Sequence, residues 1–316
     1  MFTKSGEEPL QLTMEKALLT LIPKNHEKYK EIEVNYKKNN AGYKGELELD
    51  YHLNFIPNHY YIIPGVRLLN DVKQYFQVDT LIISSKFAII IESKSMYGEL
   101  HFDSISGQVT RKSEYFTGGI PNPILQAQRQ KVQFQQWFNN HFQKEIPCYH
   151  LVSIRSPETI LHGPSSIFKY VYHAEQIPNK IDALSVNHTK EIVTPYIRKK
   201  LLSLIKEQHT PAPFDAMEFY NLQKSDLMNG ITCPNCNQDI LKRQSSTWFC
   251  NRCLFHSKNA HIHIINSYLS IFPSISVKEC QTLLRLSSRF IARRLLIGMN
   301  LLPKNQRKST TYIKPK

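Results

Sequence analysis

Residues 77–94 read Gln77-Val78-Asp79-Thr80-Leu81-Ile82-Ile83-Ser84-Ser85-Lys86-Phe87-Ala88-Ile89-Ile90-Ile91-Glu92-Ser93-Lys94, and this stretch decides the fold. Two apolar runs rich in β-branched residues flank the polar Ser85-Lys86 break, which predicts a hairpin. Phe87 to Ile91 is apolar at every position, as a strand covered on both faces requires, so the hairpin belongs at the centre of a sheet. In a hairpin the end of one strand lies near the start of its partner, which sets Asp79, the acid inside the first strand, beside Glu92 at the end of the second. Burying unpaired carboxylates is costly. Carboxylates placed together also raise one another's pKa unless a cation lies between them, and oxygen donors with room for water suit Mg²⁺. Lys94 projects from the same face of its strand as Glu92. An ammonium there can orient or help deprotonate a water and stabilise charge building on a phosphate. The competing structural reading is a salt bridge between Asp79 and Lys94.

Outward from the hairpin, Tyr60 to Leu69 and Tyr75 to Ser84 read as strands separated by a polar turn. A weaker strand is expected near Gln108 to Arg111, a long Gln-rich helix over Ile124 to Phe142, and a buried strand over Cys148 to Ile154. Upstream, Gly45 to Phe55 reads as a helix whose first turn carries Glu46, Glu48 and Asp50. Two further helices, Leu10 to Leu21 and Lys24 to Asn39, break at Pro23. Past Ser156, Tyr170 to His173 is an expected edge strand and Lys190 to Gln208 a helix. This order predicts an α/β sandwich around a mixed sheet.

Several motifs recur in one order: Ala41-Gly42-Tyr43-Lys44-Gly45-Glu46, Gln77-Val78-Asp79, Ile91-Glu92-Ser93-Lys94 with Tyr97-Gly98-Glu99-Leu100, and Asn122-Pro123-Ile124-Leu125-Gln126. Over roughly residues 40–160 this resembles the nuclease-related domain family, NERD, of the PD-(D/E)XK nuclease superfamily. The resemblance implies a restriction-endonuclease-like mixed sheet flanked by helices. It further implies Asp79 and Glu92 as ligands of Mg²⁺ or Mn²⁺, Lys94 as the catalytic lysine, and Glu46 as an additional acid reaching the metal directly or through water. Gln126 and Gln130, one turn apart, resemble the glutamine-bearing helix that supports related sites. Val78 stands where the superfamily's name has proline.

Among the 316 residues, 40 Lys and Arg face 26 Asp and Glu, a formal net charge of +14. A positive surface field of that size suits a polyanion, nucleic acid before an anionic membrane surface. At 41% hydrophobic and 11% aromatic the chain can build a core, which excludes a wholly disordered or collagen-like protein. The longest apolar runs, such as Leu81 to Ile91, fall well short of the ~20 residues of a bilayer span. Glu7 and Glu8 stand where a secretory signal would have a basic and then an apolar stretch, so a cytoplasmic location is expected.

Of six cysteines, Cys148 and Cys280 stand alone, while Cys233-Pro234-Asn235-Cys236 and Cys250-Asn251-Arg252-Cys253 form two knuckles. Four thiolates at that spacing are the signature of a structural Zn²⁺ site and resemble a zinc ribbon, with every coordination position taken by sulfur. His256, His261 and His263 are alternatives for one ligand position. Further on, Ser276-Val277-Lys278-Glu279 is a capping box opening one short helix, and Ser287-Ser288 restarts a second that ends at Gly298. The pair resembles a helix-turn-helix whose second helix carries Arg289, Arg293 and Arg294 towards phosphates or base edges. A helical hairpin with a solvated basic face is the plainer reading. The final stretch, with Lys304, Arg307, Lys308, Lys314 and Lys316 and no acid, reads as a disordered, salt-sensitive tail.

The expected organisation is a helical arm (1–39), the nuclease-like domain (40–160) and its extension (161–209), a linker (210–229), the ribbon (230–265), the helix-turn-helix-like module (266–302) and the tail (303–316). The expected function is metal-dependent hydrolysis of phosphodiesters in DNA, the ribbon and helical module aiding substrate binding. The alternative is a non-catalytic DNA-binding or scaffold protein that keeps the fold, and a weaker one is membrane-surface association through the tail.

Overall fold

The structure, a computed structural model, describes residues 8–227, 230–306 and 309–315. It divides into two compact units, residues 40–212 and a second unit of residues 8–39 with 213 onwards. The chain opens with α1 (Leu10–Leu21) and α2 (Tyr29–Leu53), and the division between units falls inside α2, after Asn39. Two helices expected on either side of residues 40–45 are therefore one. Glu46 sits two-thirds of the way along it and not at its N-terminus.

In the first unit, β1 (Tyr61–Leu69), β2 (Tyr75–Ile83) and β3 (Ala88–Lys94) form an antiparallel meander around the expected hairpin. Next come β4 (Glu99–Phe102), β5 (Val109–Ser113), β6 (Phe116–Ile120), α3 (Pro123–Phe142) and β7 (Cys148–Ile154). Then follow β8 (Ile160–His162), β9 (Val171–His173), α4 (Ile177–Val186) and α5 (Pro195–Gln208). The central sheet runs β1-β2-β3-β7-β9, with β7 parallel to β3 and β9 parallel to β7. A second sheet, β6-β5-β4-β8, is built from the three strands between the meander and α3 and from β8, which follows β7. It was legible only as the weak strand near Gln108, because its strands are short and half exposed.

Alternation along the strands explains the layers. Ile90, Leu81 and Ile83 pack with Phe134, Trp137 and Phe138 of α3 and with Ile197, Leu201 and Ile205 of α5. Ile82, Ile89 and Ile91 pack against Leu49 and Leu53 of α2 and Ile177 and Ile181 of α4. Helices on both faces are why β3 is apolar at consecutive positions, each of its residues from Ala88 to Ile91 being fully buried. The unit is a mixed α/β sandwich.

The second unit continues with α6 (Ala216–Phe219), β10 (Ile231–Thr232), β11 (Ile240–Gln244), β12 (Thr247–Phe249) and β13 (His256–Ser257). After these come α7 (Ala260–Ile271), β14 (Ile275–Ser276), α8 (Val277–Leu283), α9 (Arg289–Gly298), β15 (Leu302–Gln306) and β16 (Ser309–Ile313). Three expectations change here. The linker contributes buried Ala216, Tyr220 and Leu222, so it is structural. The arm and the ribbon are not separate bodies, since Leu18, Leu21 and Ile32 share one core with Leu241 and Trp248 of the ribbon and Leu283, Leu295 and Leu296 of the helices. The tail is not disordered over its described part: β15 and β16 pair antiparallel, and β16 also pairs with β14, burying Tyr312. Apolar residues at Leu301, Leu302, Tyr312 and Ile313, among the lysines, supply the reason. Arg307, Lys308 and Lys316 lie outside the described residues, as does Met1–Glu7. No described helix is long and apolar enough to cross a membrane.

Candidate active site and zinc site

The β2–β3 register ends at the pair Thr80–Ile91, which makes Asp79 and Glu92 the next two opposed residues. Asp79 Oδ2 accepts the main-chain N–H of Ser93 at 2.9 Å, fixing one acid to the backbone that carries the other. Glu92 is fully buried. Its Oε1 pairs with Lys94 Nζ, and its Oε2 accepts from Gln130 Nε2 at 2.8 Å. Lys94 Nζ also donates to Gln126 Oε1 at 3.1 Å. Both glutamines thus face the site from α3. That helix is aimed by Asn122, which caps it through Oδ1 (accepting from Ile124 and Leu125), donates from Nδ2 to the Gly107 carbonyl, and precedes Pro123 at the first turn. The lysine's partner is Glu92, so the competing reading, a salt bridge from Lys94 to Asp79, is not the pairing formed.

Glu46 arrives from α2. A Cβ added to Gly45 would stand 3.3 Å from Cβ of Ser95 and 3.6 Å from Cδ of Arg155, so the helix crosses the end of β3 closely there, and a methyl group would require Ser95 to give by a few tenths of an ångström. Burial raises the Glu46 carboxyl to about 8, helped by the charges of Asp79, Asp50 and Glu92. Asp79 is raised to about 7, again first by burial and then by Glu92, against the lowering effects of the Ser93 N–H and Lys94. Asp50, four residues after Glu46 on the same helical stripe, is raised by burial to about 6. It is a fourth acid that the sequence reading left among first-turn charges. The i, i+4 spacing from Glu46 was the signal that could have found it.

These acids are hard oxygen donors that resist ionisation side by side, the condition a divalent cation relieves. The donor set therefore fits Mg²⁺ or Mn²⁺. Glu46, Asp79 and Glu92 do not yet close to mutual ligand distance. Among the described residues only two other groups bring their ligand atoms within 4.8 Å of one another. One is Glu99, His101 and His162, where β4 runs beside β8. The two imidazoles stack with centroids 4.3 Å apart, and Glu99 Oε2 lies 3.0 and 3.4 Å from their Nε2 atoms. Sequence reasoning missed it because His162 joins the pair only through the strand register.

The other group is Cys233, Cys236, Cys250 and Cys253. Cys233 and Cys253 have sulfurs 3.6 Å apart, and Cys236 and Cys250 3.7 Å apart. A tetrahedron with Zn–S near 2.3 Å has edges of about 3.8 Å, whereas a disulfide needs about 2.05 Å, so the thiol arrangement fits a zinc ion. The two knuckles repeat each other. Asn237 and Leu254, each just after the second cysteine, take left-handed φ values of 54° and 60°, and their N–H groups return to the carbonyls of Cys233 and Cys250. His261 is not a ligand: its Nδ1 accepts from Trp248 Nε1 at 3.2 Å, and burial, helped by Arg243, lowers it to about 4.

Arg289, Arg293 and Arg294 are all exposed on α9.

Residues 41–154 match the family model of the nuclease-related domain, NERD. No curated protein and no solved structure is matched by the chain.

Proposed function

We propose that the first unit is a metal-dependent nuclease acting on DNA, with a restriction-endonuclease-like core. The observation that carries this reading is the convergence of Glu46, Asp79 and Glu92 with Lys94 at one end of the central sheet, inside the stretch matching a nuclease-related domain. Asp79 and Glu92, with Glu46, would hold Mg²⁺ or Mn²⁺. The ion's part is to polarise the phosphodiester and lower the pKa of the attacking water.

The chain's own residues do the rest. Glu92 and Gln126 hold the Lys94 ammonium, which keeps its third proton free for a non-bridging phosphate oxygen as negative charge builds there. Gln130 fixes the Glu92 carboxylate from its other oxygen, so the lysine cannot swing with it. Asp79, with one oxygen on the Ser93 N–H, keeps its second free to act as a ligand. The four cysteines of the second unit would hold a structural Zn²⁺, and the ribbon with its attached helices would bring the substrate to the nuclease.

The test is cleavage of supercoiled plasmid and of end-labelled single- and double-stranded oligonucleotides with Mg²⁺ or Mn²⁺, comparing wild type with Lys94→Ala and Asp79→Ala. Metal-dependent cutting lost in both variants supports the reading. Binding without cutting, unchanged by either substitution, overturns it in favour of a scaffold that keeps the fold.

A further inference from the structure

Within the second unit, α7, β14, α8, α9, β15 and β16 follow one another, and the three strands form a sheet in the order β14-β16-β15. Two short helices joined by a tight turn, followed by a hairpin that returns to a strand preceding them, make a helix-turn-helix with a β wing. The turn is held by the left-handed Arg285 (φ 49°), and Ser288 caps α9 by accepting from Phe290 N–H.

Helix α9 is divided sharply. Ala292, Leu295 and Leu296 are buried, while Arg289, Phe290, Arg293, Arg294 and Ile297 form one outward face. Phe290 is 84% exposed and Ile297 53%, so this face sets apolar side chains among its arginines. Beside this face lies a cleft of about 580 Å³ lined by Lys278, Arg289 and Arg293 with Ser276, Thr310 and Tyr312, three cations and no acid.

A second observation comes from the ribbon. Arg243 on β11 lies over the Trp248 ring, 5.2 Å from its centroid, and its buried Nε and Nη1 have no hydrogen-bond partner. Burial and the charge of Arg294 both weigh against its proton. Arg243, buried close to Arg294, adds its positive charge to the field of that face.

We propose that residues 260–306 and 309–315 form a winged helix-turn-helix that seats α9 in the major groove of double-stranded DNA, with Arg289, Arg293 and Arg294 on its phosphates and Phe290 against the base edges. A helix of this diameter fits the major groove of B-form DNA, and the deep, narrow major groove of an RNA duplex does not admit it. Residues at the N-terminal end of the second helix are those that reach bases, which is where Phe290 lies. This inference stands apart from the nuclease reading, because binding is measured without divalent cation and depends on none of the four acids.

The experiment is fluorescence anisotropy of the full chain with a labelled 20-base-pair DNA duplex, its single strand and the equivalent RNA duplex, across a NaCl series without added Mg²⁺. Wild type is compared with Arg289→Ala/Arg293→Ala and, as a shape-conserving control, Arg289→Gln/Arg293→Gln. The DNA duplex should bind most tightly. Both double variants should weaken it at least tenfold and flatten the log–log salt slope by about 1.8, the release expected for two phosphate contacts, with unchanged thermal unfolding. Equal affinity for the single strand or the RNA duplex, or an unchanged slope in both variants, overturns the proposal.

Discussion

Gln130 donates from Nε2 to Oε2 of Glu92 at 2.8 Å, so a glutamine on α3 and an acid on β3 hold each other across a buried interface. The bond makes Gln130 a positioning residue, since Lys94 takes the other oxygen of the same carboxylate.

Gln130→Leu should therefore lower metal-dependent activity by about 10- to 100-fold, the range seen when a ligand's supporting hydrogen bond is lost. A loss of activity that merely tracks a fall in Tm would assign Gln130 to packing alone.

Glu46, Asp79 and Asp50 have carboxyls raised to about 8, about 7 and about 6. Each binds its proton more tightly folded than unfolded. The stability they contribute is thus complete at low pH and is lost as pH rises from about 4 through the folded values. Without divalent cation, the Tm of wild type should fall more steeply between pH 5 and pH 8 than that of Glu46→Gln. Mg²⁺ should raise Tm more at pH 8 than at pH 5. Parallel Tm curves for the two proteins would show that Glu46 ionises freely in the fold.

Gly45→Ala separates stability from function. Alanine stabilises a helix interior by about 1 kcal/mol over glycine. Its methyl group would nevertheless press on Ser95 from 3.3 Å and push α2, with Glu46, off the end of β3. Cleavage should fall severalfold while Tm holds or rises. A variant as active as wild type would mean the helix has room to spare.

Chelating zinc, or changing Cys233 to Ser, should melt more than the ribbon. Cys233 and Cys250 belong to the same buried cluster as α1, α7, α8 and α9. Hydrogen exchange should show protection lost across residues 8–39 and 230–306 together and retained in β1, β2, β3 and β7. Loss confined to residues 230–257 would show that the shared core survives without metal.

The hairpin of residues 77–94, its opposed Asp79 and Glu92, the α3 helix and the two cysteine knuckles were all legible because they depend on neighbours in sequence: alternation, turn residues and fixed spacing. What neighbours in sequence could not supply is contact between distant segments; Glu46, Gln126 and Gln130 were expected at the site only through the family resemblance. Whether Lys94 pairs with Asp79 or Glu92 depends on α3 bringing Gln126 and Gln130 to the end of β3. That Glu46 and Asp50 join the site depends on α2 crossing close at Gly45. The basic C-terminus reads as solvated because charge dominates its composition, yet β14, more than twenty residues upstream, recruits it into a sheet by pairing its backbone. Local propensity determined the elements, while long-range burial and hydrogen bonding decided which of their polar side chains face one another.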